Sequence, residues 1–132
     1  MFPDKEIFII FVSNKILQMI KYDIEFLEFA KRFLDKLDDK SRKKVIFNIW
    51  KSREINDPEL FKKLSGEIWE FRTKYMSKQI RLLAFWDKTD NKSTLVIATH
   101  GFIKKTQKAP KSEIEKADRI RIEYFETKRR RR

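Results

Sequence analysis

The sequence has no cysteine and only one histidine, His100. Those shortages exclude a disulfide framework and leave too few thiolate and imidazole ligands for an all-protein zinc site, so neither metal nor other cofactor is expected. Long apolar runs are missing too: the longest, Ile7 to Val12, is six residues, against the roughly twenty needed to cross a bilayer. Its upstream flank, Asp4-Lys5-Glu6, lacks the positive n-region of a signal peptide, and a cytoplasmic protein is the expectation. No internal repeat, low-complexity linker or domain boundary breaks the chain.

What is present fits one domain. The 132 residues suffice to bury about two thirds of the unfolded surface. With 41% apolar and 39% charged residues, the composition excludes disorder for most of the chain. Lys and Arg outnumber Asp and Glu 32 to 20, a net charge of +12. Setting aside the five positives of Lys128 to Arg132 leaves 27 against 20, so the body is still basic at +7. Such a surplus attracts polyanions: nucleic acid, a ribosomal surface or an acidic protein. Residues 127–132 read as a basic, solvated and disordered tail.

Hydrophobic spacing then divides the chain. Met19 to Glu25 alternates, with Ile20, Tyr22 and Ile24 on one side, as in a half-buried strand. Phe26, Phe29, Ala30, Phe33, Leu34 and Leu37 recur at helical spacing. Asp38, Asp39 and Ser41 offer capping oxygens to a second helix with apolar positions Val45, Ile46, Ile49 and Trp50, closed by Asn56-Asp57-Pro58. Glu67 to Thr73, Gln79 to Trp86 and Thr94 to His100 read as a three-strand antiparallel meander. Pro110 opens a last helix running to about Glu126. The expected fold is α+β, in the order β-α-α-β-β-β-α, over residues 19–126. Residues 1–18 fit no clean period: they are either an extension upstream of a start at Met19 or an extra element covering an apolar patch.

Alternation also sorts the polar groups. In the first meander strand Trp69 and Phe71 take the core face, which puts Glu70 and Arg72 on the other, projecting outward. In the second, Ile80, Leu82, Ala84 and Trp86 form the apolar set and leave Arg81 opposite, with Gln79. In the third, Leu95 and Ile97 look like core, which groups His100 with Val96 and Ala98. Strands paired in sequence order would then gather one carboxylate, two guanidiniums and the imidazole on one face, with Lys104 and Lys105 at its edge. Arginines stabilise an anionic phosphate, while a carboxylate and an imidazole move protons near neutral pH. RNA supplies its own nucleophile, since a base can take the 2′-hydroxyl proton and an acid can protonate the departing 5′-oxygen, without metal. The bland alternative is an exposed Glu70–Arg72 ion pair worth about 0–1 kcal/mol beside a capped histidine.

The stretches Lys63-Leu64-Ser65-Gly66-Glu67-Ile68-Trp69-Glu70-Phe71-Arg72, Arg81-Leu82-Leu83 and His100-Gly101-Phe102-Ile103-Lys104-Lys105-Thr106, with the loop–helix segment Lys108 to Ile114, resemble the phage-derived, HigB-like branch of the RelE/ParE toxin superfamily. The resemblance covers about Met19 to Phe125. It implies a type II toxin that cuts mRNA on the ribosome and is neutralised by a helix-turn-helix antitoxin. Carried over by position, Glu70 is the candidate base, His100 the candidate acid, Arg81 the contact to the scissile phosphate, and Arg72 a further basic residue of the catalytic set. Lys63, Lys104, Lys105 and Thr106 would bind RNA. A ParE-like topoisomerase inhibitor and a degenerate RNA-binding module are the competing readings. The sequence departs from the pattern in three places. Tyr75-Met76-Ser77-Lys78 has no glycine, so its turn either pays for φ > 0 or is longer. Ile80 stands where an aromatic often precedes the arginine, removing a stacking surface. Ala109 replaces a capping hydroxyl worth about 1 kcal/mol.

Overall fold

A computed structural model describes residues 22–89 and 95–131. Its elements are β1 (Asp23–Phe26), α1 (Glu28–Lys36), α2 (Asp39–Glu54), β2 (Phe61–Ser65), β3 (Ile68–Tyr75), β4 (Lys78–Asp87), β5 (Leu95–Lys104) and α3 (Lys111–Arg130). The fold is mixed α+β, but the order corrects the expected one by a strand. The five strands lie β1-β5-β4-β3-β2. β1 runs parallel to β5 and the other neighbours are antiparallel, so the sheet is mixed rather than wholly antiparallel. Residues 1–18 lie outside the described residues, as does the expected start of the first strand.

The local chemistry explains the boundaries. Asp38 caps α2 by accepting from the Ser41 amide at 3.1 Å and the Ser41 hydroxyl at 2.7 Å. Val45 and Ile49 are buried as their spacing requires, whereas Trp50 is half exposed under the Arg53 guanidinium, 4.6 Å from its ring. The Pro110 end of α3 has no side-chain cap, as Ala109 implies. This helix runs on past Glu126 to Arg130, so the segment expected to be a disordered tail is helical over residues 127–130. Lys128 anchors it, donating to Asp87 Oδ2 at 2.6 Å and Thr89 Oγ1 at 2.7 Å, and the Tyr124 hydroxyl donates to Asp87 at 2.6 Å.

The hairpin is not lengthened. Tyr75 pairs with Lys78 across a two-residue turn in which Met76 and Ser77 have φ of 49° and 65°. Two side chains therefore occupy left-handed backbone, the geometry a tight hairpin twist demands.

Helices cover both faces of the sheet, which is what positions the site. On one face α1 and α2 pack Ala30, Leu34, Val45 and Ile49 onto Phe71, Ile80, Leu82, Ala84, Val96 and Ala98. On the other, α3 lays Ala117 over Ile68, Leu83, Phe85 and Ile97. Leu83 and Phe85 sit among polar residues because they are the second core. Gly101 belongs to the first face: a Cβ there would stand 2.2 Å from the Phe33 ring.

Candidate functional site

The strand registers assemble the site. Residues paired across neighbouring strands share a face, so Lys62, Glu70, Leu83 and His100 form one row across β2, β3, β4 and β5. Arg72, Arg81 and Phe102 form the next, and Lys74, Gln79 and Lys104 the third. The rows lie on the α3 face, beyond the apolar residues that the helix covers.

Two expectations change here. Glu70 does not project outward: it is 1% exposed, because the face opposite Phe71 is itself a core face. His100 does not share a face with Val96 and Ala98. Leu83 pairs with His100 but Ala84 with Ala98, so Thr99 is an extra residue, a β-bulge that reverses the alternation and turns His100 toward Glu70 and Arg81.

Glu70 Oε1 lies 3.4 Å from Arg72 Nε and 3.6 Å from Arg81 Nε. Arg81 is 2% exposed and is steered by Gln79, whose Oε1 accepts from a terminal nitrogen at 2.6 Å. Burial pulls the Arg81 pKa down, the Glu70 carboxylate opposing it, but a guanidinium keeps its charge. The two guanidiniums thus share the buried Glu70 carboxylate, Arg72 also reaching the exposed Glu59 at 4.0 Å, with Lys62, Lys74 and Lys104 around them. Burial and the nearby Arg81 also lower the Lys104 pKa. His100 is 3% exposed, with Nδ1 3.1 Å from Thr99 Oγ1 and Nε2 3.5 Å from Glu113 Oε2 on α3. Burial and Lys116 lower the ring pKa to about 4, so the imidazole is neutral at neutral pH.

Among the described residues, four buried side-chain polar atoms have no hydrogen-bond partner: Glu70 Oε2, Arg72 Nε, Arg81 Nε and His100 Nε2. All four belong to this cluster. Such atoms are costly, about 1–3 kcal/mol each, and concentrate where a ligand completes them.

The other candidates are more scattered. Lys104 lines the site and Lys105 is exposed just past the strand end. The Thr106 hydroxyl is turned to the Lys108 carbonyl at 2.8 Å. Lys63 pairs with Trp69 and so points to the opposite face; Lys62, one residue away, takes the position expected for it. Thr99, Gln79, Glu113 and Lys116 were given no role in the sequence. Gln79 alone was signalled, by sharing the Arg81 face. The described residues contain no cluster of three potential metal ligands, and no helix long and apolar enough to cross a membrane.

The profile of the phage-derived Gp49-like proteins (DUF891) matches residues 32–121, a span that holds the whole site. A search among curated proteins finds no match. The chain belongs to the Gp49-like family, a family associated with toxin–antitoxin systems.

Proposed function

We propose that the protein is the toxin of a type II toxin–antitoxin pair, a HigB-like endoribonuclease that cleaves mRNA on the ribosome in the cytoplasm and is held by a helix-turn-helix antitoxin. The observation that carries the reading is the convergence of four buried polar atoms without a hydrogen-bond partner on a cluster with more positive than negative charge. A phosphodiester brings the negative charge and the acceptors that the Arg72 and Arg81 Nε–H groups lack, and the neighbouring 2′-hydroxyl brings a donor to His100 Nε2.

In this reading the proton-transfer roles differ from those that the resemblance implies. A neutral imidazole can accept a proton, and His100 is therefore assigned as the base that takes the 2′-hydroxyl proton. The 2′-oxygen attacks phosphorus, the bond to the 5′-oxygen breaks, and Arg72 and Arg81 stabilise the charge of the five-coordinate transition state. Lys104, its pKa lowered, protonates the leaving oxygen. The products are a 2′,3′-cyclic phosphate and a 5′-hydroxyl. Glu70 orients both guanidiniums rather than moving a proton.

Primer extension on mRNA after induction tests this. Wild type gives new 5′ ends only in translated messages. Arg81→Ala and His100→Gln each lower cleavage by about 100-fold or more. Growth arrest with intact mRNA and damaged DNA would instead support topoisomerase inhibition.

A further inference from the structure

We propose that Thr99 is a positioning residue that sets which nitrogen of His100 carries the proton, holding Nε2 as a bare acceptor. Only the catalytic consequence rests on the nuclease reading. Thr99 is the inserted residue of the bulge and is 0% exposed. Its Oγ1 lies 3.2 Å from the Leu83 carbonyl oxygen and 3.1 Å from His100 Nδ1. A carbonyl oxygen only accepts, so the single hydroxyl proton goes to Leu83. Oγ1 then has only lone pairs to turn toward Nδ1, and Nδ1 must be the donor. A neutral ring carries one N–H, which leaves Nε2 without a proton.

The rival arrangement reverses both bonds: the hydroxyl donates to Nδ1, and Nε2–H faces Glu113. It leaves the Leu83 contact without a proton, and Nε2 has no acceptor in hydrogen-bonding geometry. It therefore makes one hydrogen bond where the first makes two. The charged groups on this face are Glu113 and Lys116 of α3, Lys62 of β2, Glu70, Arg72 and Lys74 of β3, Arg81 of β4 and Lys104 of β5. The carboxylates favour a protonated ring; burial and the cations favour the neutral one.

The bulge and the tautomer are thus one device. The inserted residue turns the ring to the α3 face, and its hydroxyl then selects the form that can accept a 2′-hydroxyl proton. Unconstrained histidine side chains prefer the other tautomer, so the preference is imposed by the fold.

The chain has one histidine, so [15N]histidine labelling of the full-length protein reports this ring alone. At neutral pH, wild type and Thr99→Ser show a pyrrole-type Nδ1 and a pyridine-type Nε2, whereas Thr99→Val inverts the pattern. In a translation-coupled cleavage assay Thr99→Val lowers kcat by about 100-fold with KM little changed, and Thr99→Ser restores it. A pyridine-type Nδ1 in wild type overturns the proposal, as does a folded Thr99→Val with an unchanged spectrum. Should Thr99→Val not fold, the wild-type and Thr99→Ser spectra decide. A wild type with the expected tautomer that cuts no mRNA removes the nuclease reading and leaves the positioning role standing.

Discussion

Because His100 is the only histidine, acid sensitivity in the imidazole range belongs to one ring. In the unfolded chain the ring takes its proton near pH 6.5, in the fold only near pH 4. Between those values the unfolded state binds more protons, so acidification draws the equilibrium toward unfolding. The stability at stake is complete above about pH 6.5 and is lost as pH falls toward about 4. Lowering the pH from about 7.5 to about 5 costs about 2 kcal/mol, which moves a urea midpoint by about 1 M at a slope near 2 kcal/mol/M. The side chain is only 4% exposed, so solvent screening removes little of this. Asp38 and Asp87, held below the usual carboxylate range, give up their contribution only below about pH 4. Urea titrations at the two pH values, on wild type and His100→Gln, make the measurement. The variant should lose almost nothing over the interval. An equal loss in both proteins, or a ring that titrates near its ordinary pKa by NMR, refutes the burial argument.

Three further outcomes follow from the packing. Glu70→Gln leaves the Arg72 and Arg81 charges facing an amide, and a loss of about 3 kcal/mol is expected in urea unfolding; inorganic phosphate should recover part of it, and a variant as stable as wild type contradicts the buried pairing. Replacing Met76 with Asn and Ser77 with Gly relieves left-handed backbone at two positions and should add about 1 kcal/mol, read as a higher unfolding midpoint at an unchanged slope. Asp87→Asn removes the acceptor charge from Lys128 and weakens the bond from Tyr124, at a cost of about 1–3 kcal/mol. Hydrogen exchange should rise in the last turns of α3 and hardly at all near Ala117; a uniform rise would mean that the anchor serves the whole fold.

The parts of the fold that could be read from the sequence are those where one residue type answers one local demand. Asp38 and Ser41 mark a helix start because free amides need oxygens there, and the meander strands follow from alternation over eight to ten residues. β2 escapes that logic. Its five residues include adjacent lysines, and its register shifts between Lys63 and Ser65, so no period of two survives. The resemblance points to Lys63 as the basic residue here, and the register puts Lys62 on the site's face instead. The glycine-free hairpin leaves two options in the sequence, a costly φ > 0 turn or a longer one, and the pairing on either side of Met76 and Ser77 selects the first. The burial of Glu70 is illegible for another reason: alternation assigns a face, and only the docking of α3 determines whether that face meets solvent.

His100 is the instructive case. Strict alternation groups it with Val96 and Ala98, which lie in the core beneath α1 and α2. A histidine there would be buried among apolar side chains, on the face away from Arg72 and Arg81. The Thr99 bulge moves it to the opposite side, into the row of Glu70 and next to that of Arg81. Nothing about a threonine in a β-branched stretch announces an inserted residue, since Thr is as good a strand former as its neighbours. The bulge becomes necessary only once both helical layers are in place. Val96 and Ala98 must fill the first core and Ile97 the second, and the polar residue that follows can reach the cationic rows only by skipping one step of the pleat. The chemistry of this face therefore depends on a break in the very pattern by which the rest of it is read.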